Sequence, residues 1–301
     1  MVADSQGDLV ETLDKSQELE SIVDYPARII CADGSEEFRD EELQAEHTLD
    51  VYVDGKLTMR IVCTPSDLIE LVIGRLFTEG VIDSPDDIQM VYLCEFSTKV
   101  RVLLANKRAE LSDVDAPMVP SCCTGNKVYT AVERVNEEGT TLAPVMPIEW
   151  KPEWIFALAE MFKSDTPMHK RTFGAHSCFL AKDGQILYCC EDLGRHNAFD
   201  KVIGHALRDG IDLSQTIICT SGRLPVDMVT KAIRARIPVL VSKAVPTDLT
   251  VELARAFDLT LICSARTDSI RVYHDPTAPV DAPAHAHQWK VSRLFDADST
   301  L

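Results

Sequence analysis

The sequence Cys190-Glu191-Asp192-Leu193-Gly194-Arg195-His196-Asn197-Ala198-Phe199-Asp200-Lys201 crowds acids, an arginine, a histidine, an asparagine and a lysine into one short stretch. The apolar run 185–189 before it predicts a β-strand, and apolar residues recur at helical spacing across 199–207. A strand that passes through a polar turn into a helix often builds a site, because the helix N-terminus offers free N–H groups and partial positive charge to an anion. Arg195 and Lys201 suit a phosphate, although a solvated turn with salt bridges would also explain them.

Composition limits the classes of protein that this chain can represent. Its 301 residues suffice for one large or two ordinary domains, and 46% hydrophobic residues are typical of a globular protein. There is no apolar run of about eighteen residues and no leader pattern, so we expect a cytoplasmic protein without a membrane span. The net charge of −18 argues against a nucleic-acid or membrane-surface partner. The ten cysteines should be mostly reduced in that compartment, and their spacing predicts no metal site.

The order of patterns along the chain predicts four regions. Residues 1–45 are acid-rich with few aromatic residues, which predicts a flexible arm. Residues 46–145 contain hairpin and helix signals and predict a smaller β-rich N-terminal subdomain with a cysteine loop at 119–127. Residues 146–275 alternate strands with helices of about ten residues, which predicts a layered α/β domain with right-handed crossovers. The proline-containing residues 276–301 predict a loose tail.

The cysteine loop, Ser121-Cys122-Cys123-Thr124-Gly125-Asn126-Lys127, is a candidate for nucleophilic chemistry. A thiol in a loop with glycine and serine is accessible, and a nearby lysine can lower its pKa toward the nucleophilic thiolate. Incidental surface or interface cysteines would give the same pattern, so both interpretations stay open on spacing alone. A disulfide between the adjacent cysteines is the least favoured option.

Three polar segments beside predicted strands are candidate ligand-binding elements. Gly174-Ala175-His176 precedes a strand, whereas the 192–201 segment and Thr220-Ser221-Gly222-Arg223 each follow one. Because open α/β sheets bind ligands at the carboxyl ends of their strands, we expect Arg195 and Arg223 to lie together. The plainer alternative for His176 is a structural hydrogen bond. For Asn197 the plainer alternative is a helix cap. The sequence contains no P-loop, no dinucleotide fingerprint and no zinc-deaminase motif.

Taken together, these segments resemble the signature blocks of the FdhD/NarQ family, the formate dehydrogenase accessory sulfurtransferases. The blocks are Gly174-Ala175-His176, 191–204 and Ser221-Gly222-Arg223, with supporting similarity in 65–82 and 237–247. The similarity runs from about residue 47 to residue 273. The Gly-Arg-His-Asn-Ala sequence within the second block is specific, and all blocks occur in the family's order.

The resemblance implies a fold and a function. The fold would be α/β (α+β overall), with a cytidine deaminase-like three-layer body that lacks the zinc site. The protein would be a sulfurtransferase required for formate dehydrogenase activity. It would accept persulfide sulfur from a cysteine desulfurase on a loop cysteine and transfer it to the molybdenum bis-guanine-dinucleotide cofactor before insertion. A homodimer is also implied.

The cysteine loop departs from the pattern of many family members, which carry Cys-x-x-Cys. Here the positions three residues after Cys122 and Cys123 are Gly125 and Asn126. The resemblance therefore implies a one-cysteine relay through Cys123, with Cys122 as a second catalytic candidate. A non-catalytic chaperone that binds the molybdenum cofactor for formate dehydrogenase is the alternative function.

The resemblance also implies a set of cofactor-binding residues that recognise the GDP-like part of the ligand, with the arginines on its phosphates and the histidines as hydrogen-bonding or proton-donating groups. They are Gly174, His176, Asp192, Arg195, His196, Asn197, Lys201, Ser221, Gly222, Arg223, Ser264, Ala265, Arg266, Thr267, Asp268 and Ser269. In the segment 264–269 the arginine fits the family pattern, whereas the usual aromatic residue is missing.

Overall fold

Two six-stranded mixed sheets form the frame of the protein in a computed structural model, which describes residues 10–17, 19–105, 142–164 and 166–278 and the backbone of 118–119. The strands are β1 (Thr12–Asp14), β2 (Ile22–Ile30), β3 (Glu36–Gln44), β4 (His47–Val53), β5 (Lys56–Cys63), β6 (Ile88–Leu93), β7 (Lys99–Leu104), β8 (Met118–Val119), β9 (His176–Lys182), β10 (Gln185–Asp192), β11 (Ile217–Thr220), β12 (Val239–Ser242), β13 (Thr260–Cys263) and β14 (Arg271–His274). The α-helices are α1 (Leu68–Thr78), α2 (Pro152–Lys163), α3 (Pro167–Thr172), α4 (Arg195–Arg208), α5 (Val226–Arg234) and α6 (Asp248–Ala256).

The first sheet has the strand order β1-β6-β7-β4-β5-β8. It contains the predicted β4–β5 hairpin, in which Leu49, Val51 and Val53 alternate toward the core. Asp54 and Gly55 make the turn with positive φ angles of 47° and 83°, a conformation that glycine adopts without strain. The hairpin signal in the sequence is therefore confirmed.

The acidic region 1–45 contains strands that the sequence pattern did not predict. β1 pairs in parallel with β6, and β2 and β3 form a separate two-stranded antiparallel hairpin. Both strands of this hairpin leave most of their side chains exposed, so its sequence lacks the alternation of apolar and polar residues by which a half-buried strand is recognised. The predicted cysteine loop 119–127 and tail 276–301 lie outside the described residues, apart from the backbone at 119 and residues 276–278.

The second sheet has the order β10-β9-β11-β12-β13-β14, with β11, β12 and β13 parallel to one another. Alternate residues face two different cores. Leu180 and Ile218 belong to the core beneath α4, α5 and α6, whereas Phe179 and Ile217 pack with Ile155 of α2 on the other face. This helix-sheet-helix arrangement confirms the predicted layered α/β fold. The similarity to cytidine deaminase stays a prediction.

Helices α1 and α4 join the two sheets at a very close crossing. A Cβ atom built on Gly74 would lie 1.9 Å from the carbonyl oxygen of Asp200, and one built on Gly204 would lie 1.9 Å from that of Glu70. The absence of side chains at both glycines lets the backbones approach directly, and one continuous core includes residues of both sheets. Within the described part of the chain, no helix has the length and apolar character that a membrane span requires.

Candidate functional site

Strand β9 places the segments 174–176 and 220–223 beside the end of β10, where the segment 192–201 begins. It runs antiparallel between β10 and β11, so its start lies beside the carboxyl ends of both neighbours. His176 is the register partner of Asp192, and the Ser221 N–H donates to the carbonyl oxygen of Ser177 at 2.9 Å. The three segments that the sequence singled out therefore converge at one place, which we call the carboxyl edge of the second sheet.

Arg195 lies directly against the turn that follows β11. A Cβ atom on Gly222 would come within 2.7 Å of Arg195 Cδ, so only glycine leaves room for the arginine stem. Next to it, Ser221 Oγ accepts from the Ser177 N–H at 3.0 Å and lies 3.3 Å from His176 Nδ1. Burial and the Arg195 guanidinium lower the pKa of His176, so its imidazole is neutral at pH 7. A neutral imidazole can either donate to or accept from a ligand.

The segment 264–269 belongs to the same edge. Ser242 Oγ donates to the Gly222 carbonyl at 2.7 Å, and the Ala265 N–H donates to the Ser242 carbonyl at 3.0 Å. Arg266 donates from its guanidinium to the Lys243 carbonyl at 2.6 Å and stays exposed, as do Thr267, Asp268 and Ser269. The loops after β11, β12 and β13 are thus tied into one surface, with the exposed Arg223 on the same edge.

Asp192, Asn197 and Lys201 lie beneath this edge rather than on it, because all three are buried. Asp192 binds the Lys201 ammonium at 2.8 Å and accepts from the Asn197 amide at 2.9 Å, and it also accepts from the Thr64 N–H at 3.0 Å. The Asn197 amide also donates to the Val62 carbonyl at 2.8 Å. These groups fasten the end of β10 to the end of β5. Helix α4 begins at Arg195 with Gly194 as its N-cap, so the cap considered for Asn197 is wrong.

His196 is also buried and faces a carboxylate. Its Nε2 lies 2.7 Å from Oδ2 of Asp227, in the first turn of α5. Burial lowers the pKa of His196 despite the opposing effect of Asp227, so the neutral ring is the stable form. The pair connects the starts of α4 and α5, the two helices that follow the turns after β10 and β11.

A buried charge cluster under α4 was missed by sequence reasoning. Asp200 pairs with Lys231 at 2.8 Å and with Arg75 at 2.9 Å, and Glu79 lies 3.1 Å from Arg75. Asp200, Arg75 and Lys231 are almost completely buried. The sequence could place Asp200 near the helix start but contained no signal for partners more than thirty residues away on two other helices. Burial of both charges of each pair makes the cluster costly to break, since an unpaired buried ion is strongly destabilising.

Glu191 was likewise not predicted as a positioning group. Its carboxylate accepts from the Met168 and His169 N–H groups, both at 2.8 Å, and from the Thr166 hydroxyl. It therefore satisfies the free donors at the start of α3, the short helix that leads into Gly174. The predicted catalytic residues Cys122 and Cys123 lie outside the described residues.

The fold and the carboxyl edge together define a layered α/β protein that carries arginines at one edge of its second sheet. A model of the FdhD/NarQ family matches residues 44–279, and the chain belongs to that family. The sequence resemblance is thereby confirmed.

Named relatives and a solved structure agree with this assignment. The chain is 30% identical over 238 residues to the sulfur carrier protein FdhD of Bacillus subtilis, a match that covers 79% of this chain and 90% of the relative. It is 31% identical over 257 residues to the protein of the same name from Streptomyces avermitilis, covering 80% and 90%. A solved structure described as a formate dehydrogenase accessory protein from Desulfotalea psychrophila matches with a TM-score of 0.69 and 24% identity, covering 85% of this chain and 98% of that one.

Proposed function

We propose that this protein is a sulfurtransferase that carries sulfur for the maturation of a formate dehydrogenase. Family membership supports the class of activity, because relatives at about this level of identity are named sulfur carrier proteins. The observation that carries the proposal is that three arginines lie at one sheet edge: Arg223 and Arg266 in the loops after β11 and β13, and Arg195 at the start of α4 against Gly222. Sulfur transfer to a large anionic cofactor needs such a docking edge.

The substrate held at this edge would be the molybdenum bis-guanine-dinucleotide cofactor, bound through its GDP-like part. The donor set fits a diphosphate, since guanidinium groups form paired charge-assisted hydrogen bonds with phosphate oxygens. Arg223, Arg266 and the half-buried His176 and Ser221 are accessible for direct contact. The deeply buried members of the predicted set, such as Lys201, would act by holding this surface in place.

The carrier thiol would be Cys123, with Cys122 as a second candidate. Five of the eight cysteines among the described residues are buried, and burial raises the pKa of Cys63, Cys178 and Cys219, so these thiols have little nucleophilic thiolate. The Cys123 thiolate would attack the outer sulfur of a desulfurase persulfide. The desulfurase thiolate would leave, and Cys123 would keep the sulfur as its own persulfide.

The proposal includes a compartment and partners. All eight described cysteines are free thiols, which fits a reducing compartment such as the cytoplasm. A cysteine desulfurase would donate sulfur, a formate dehydrogenase would receive the sulfurated cofactor, and the protein would act as a homodimer.

The decisive experiment is persulfide mapping. The protein is incubated with a cysteine desulfurase and isotopically labelled cysteine, and the cysteine-loop peptide is analysed by mass spectrometry under non-reducing conditions. Labelled persulfide should form on wild type and on Cys122→Ala, and should be lost in Cys123→Ala. Cys31→Ala is the matched control, because Cys31 is the exposed thiol at the tip of the β2–β3 hairpin. Equal labelling of Cys123→Ala would overturn the assignment, and an unlabelled wild type would favour the chaperone.

Ligand binding is tested separately with GDP. Arg223→Ala should weaken GDP binding by about tenfold or more, because it removes a charge-assisted hydrogen bond. Arg195→Ala should also weaken GDP binding, because the buried Arg195 packs against Gly222 in the turn that carries Arg223. Loop persulfide formation should stay intact in both variants. Arg60→Ala serves as a control, since this exposed arginine pairs with Asp50 on the first sheet. Loss of the persulfide with normal GDP binding would show that the edge serves the thiol and not the nucleotide.

A further inference from the structure

Three potential metal ligands lie close together near the start of α1. Asp67, Cys190 and His205 each offer one ligand atom, and these atoms all lie within 4.8 Å of one another. His205 Nε2 already lies 3.1 Å from Asp67 Oδ1. The residues come from the start of α1, from β10 and from α4, so no spacing in the sequence indicates them.

We propose that Asp67, Cys190 and His205 form a zinc-binding site with water as the fourth ligand. One sulfur, one nitrogen and one oxygen donor are the ligand types that zinc accepts in proteins, and three protein ligands leave one position open. The site does not depend on the proposed sulfur transfer.

The distances are close to those of a tetrahedral site. Zinc ligands at their usual bond lengths lie about 3.5 Å apart, so no separation between these atoms has to close by more than about 1.3 Å. The imidazole is already oriented, because Tyr188 stacks on it with ring centroids 5.4 Å apart and planes inclined by 13°. Tyr188 is held in turn by its hydroxyl, which donates to Asp209 at 2.5 Å. Such outer contacts fix the ring orientation of metal-bound histidines.

The charges also balance. A bound Zn²⁺ would be neutralised by the Asp67 carboxylate and the Cys190 thiolate, so the half-buried site would carry no net charge. The neighbouring cations are already paired, Lys201 with Asp192 at 2.8 Å and Arg208 with Glu70. Zinc binding would replace the Cys190 thiol proton with a sulfur–zinc bond and release that proton to solvent.

The site is open to solvent at His205 and Asp67. Cys190 is only 4% exposed, whereas the side chains of His205 and Asp67 are 29% and 34% exposed. A hydrated ion can therefore reach the imidazole and the carboxylate first and then bind the thiolate. Because Asp67 precedes α1 while the other ligands belong to the second sheet and its helix, the ion would clamp the two halves together.

The test uses Co²⁺ and Zn²⁺ on the full-length protein after removal of metal with a chelator. Co²⁺ should give sulfur-to-cobalt charge-transfer absorption on wild type, and Zn²⁺ should abolish it. Cys190→Ser should lose the sulfur-to-cobalt absorption. Its zinc affinity, measured by competition with a chromophoric chelator, should fall at least about 100-fold. Cys189→Ser is the matched control, since Cys189 is the exposed neighbour on the same strand.

A second variant keeps the result interpretable if serine disturbs the core at position 190. His205→Gln changes a partly exposed residue and preserves a hydrogen-bonding group toward Asp67. Without metal, His205→Gln should melt within a few degrees of the wild type. Its zinc affinity should nevertheless fall as much as that of Cys190→Ser. The proposal is overturned if wild type shows no thiolate–cobalt absorption, or if Cys190→Ser or His205→Gln retains wild-type absorption and affinity.

Discussion

Alanine at Gly204 should force α1 and α4 apart. The new methyl carbon would lie 1.9 Å from the carbonyl oxygen of Glu70, whereas ordinary contacts begin at 3.4 Å. The obstacle is a backbone carbonyl in the first turn of α1, so it cannot rotate away as the end of a side chain can. The helices must therefore separate by about 1.5 Å in a core that is packed like a crystal.

The expected cost follows from three contributions. Overpacking a core costs about 3 kcal/mol at the upper end of its usual range. Separation of the helices also stretches the buried Arg75–Asp200 pair, at 2.9 Å, for which we allow about 1–2 kcal/mol. Alanine returns about 1 kcal/mol relative to glycine through its higher helix propensity. The free energy of unfolding should therefore fall by about 3–4 kcal/mol.

Guanidinium unfolding followed by circular dichroism measures this loss. Gly174→Ala is the control, because the nearest atom to its new Cβ is the end of the Gln44 side chain at 3.3 Å, and we expect a change within about 0.5 kcal/mol. Gly74→Ala should match Gly204→Ala, since its Cβ meets the Asp200 carbonyl at the same 1.9 Å. The double variant should lose less than the sum, because one separation relieves both clashes. A Gly204→Ala protein as stable as wild type, or strict additivity, would refute the direct backbone contact.

Three further predictions concern the buried and partly buried charges. Asp200→Asn should lower the free energy of unfolding by about 3 kcal/mol, because it leaves two buried cations short of a counterion, whereas the surface change Asp50→Asn should cost under about 1 kcal/mol in the same guanidinium assay. Glu191→Ala should remove the cap of α3 and cost about 1–2 kcal/mol, seen as faster hydrogen exchange confined first to that helix; unchanged exchange there would contradict the capping role. Burial opposes protonation of His205, but Asp67 outweighs it and raises the pKa above its ordinary value of 6.5. The resulting stability should be complete below about pH 6.5 and lost as the pH rises through the raised pKa. The difference in unfolding free energy between wild type and His205→Gln, measured against pH, should show this slope, and a flat difference would reject it.

Much of the second sheet could be predicted from the sequence, because its helices and strands carry strong local signals. Ser221-Gly222-Arg223 follows a fully buried strand, and Thr247 caps α6 by accepting from the Thr250 N–H. The β2–β3 hairpin could not be predicted, since strands exposed on both faces carry no periodic pattern. The partners of Asp200 could not be predicted either, because they depend on how three helices meet.

For the same reason, the sequence could not show that its densest polar stretch, 190–201, lies partly inside the protein. A sequence shows that Asp192 and Lys201 are charged, but only the fold shows that they pair with each other at 2.8 Å beneath the carboxyl edge of the second sheet. Asp192 also accepts from the Thr64 N–H of the first half of the chain, and Arg75 of α1 pairs with Asp200 in α4. Each of these contacts ties the strand-turn-helix unit of the second sheet to the first half. A shift of α1 would therefore be transmitted to the turn at Arg195, so the first half can set the geometry of the edge at which the anionic ligand is proposed to bind.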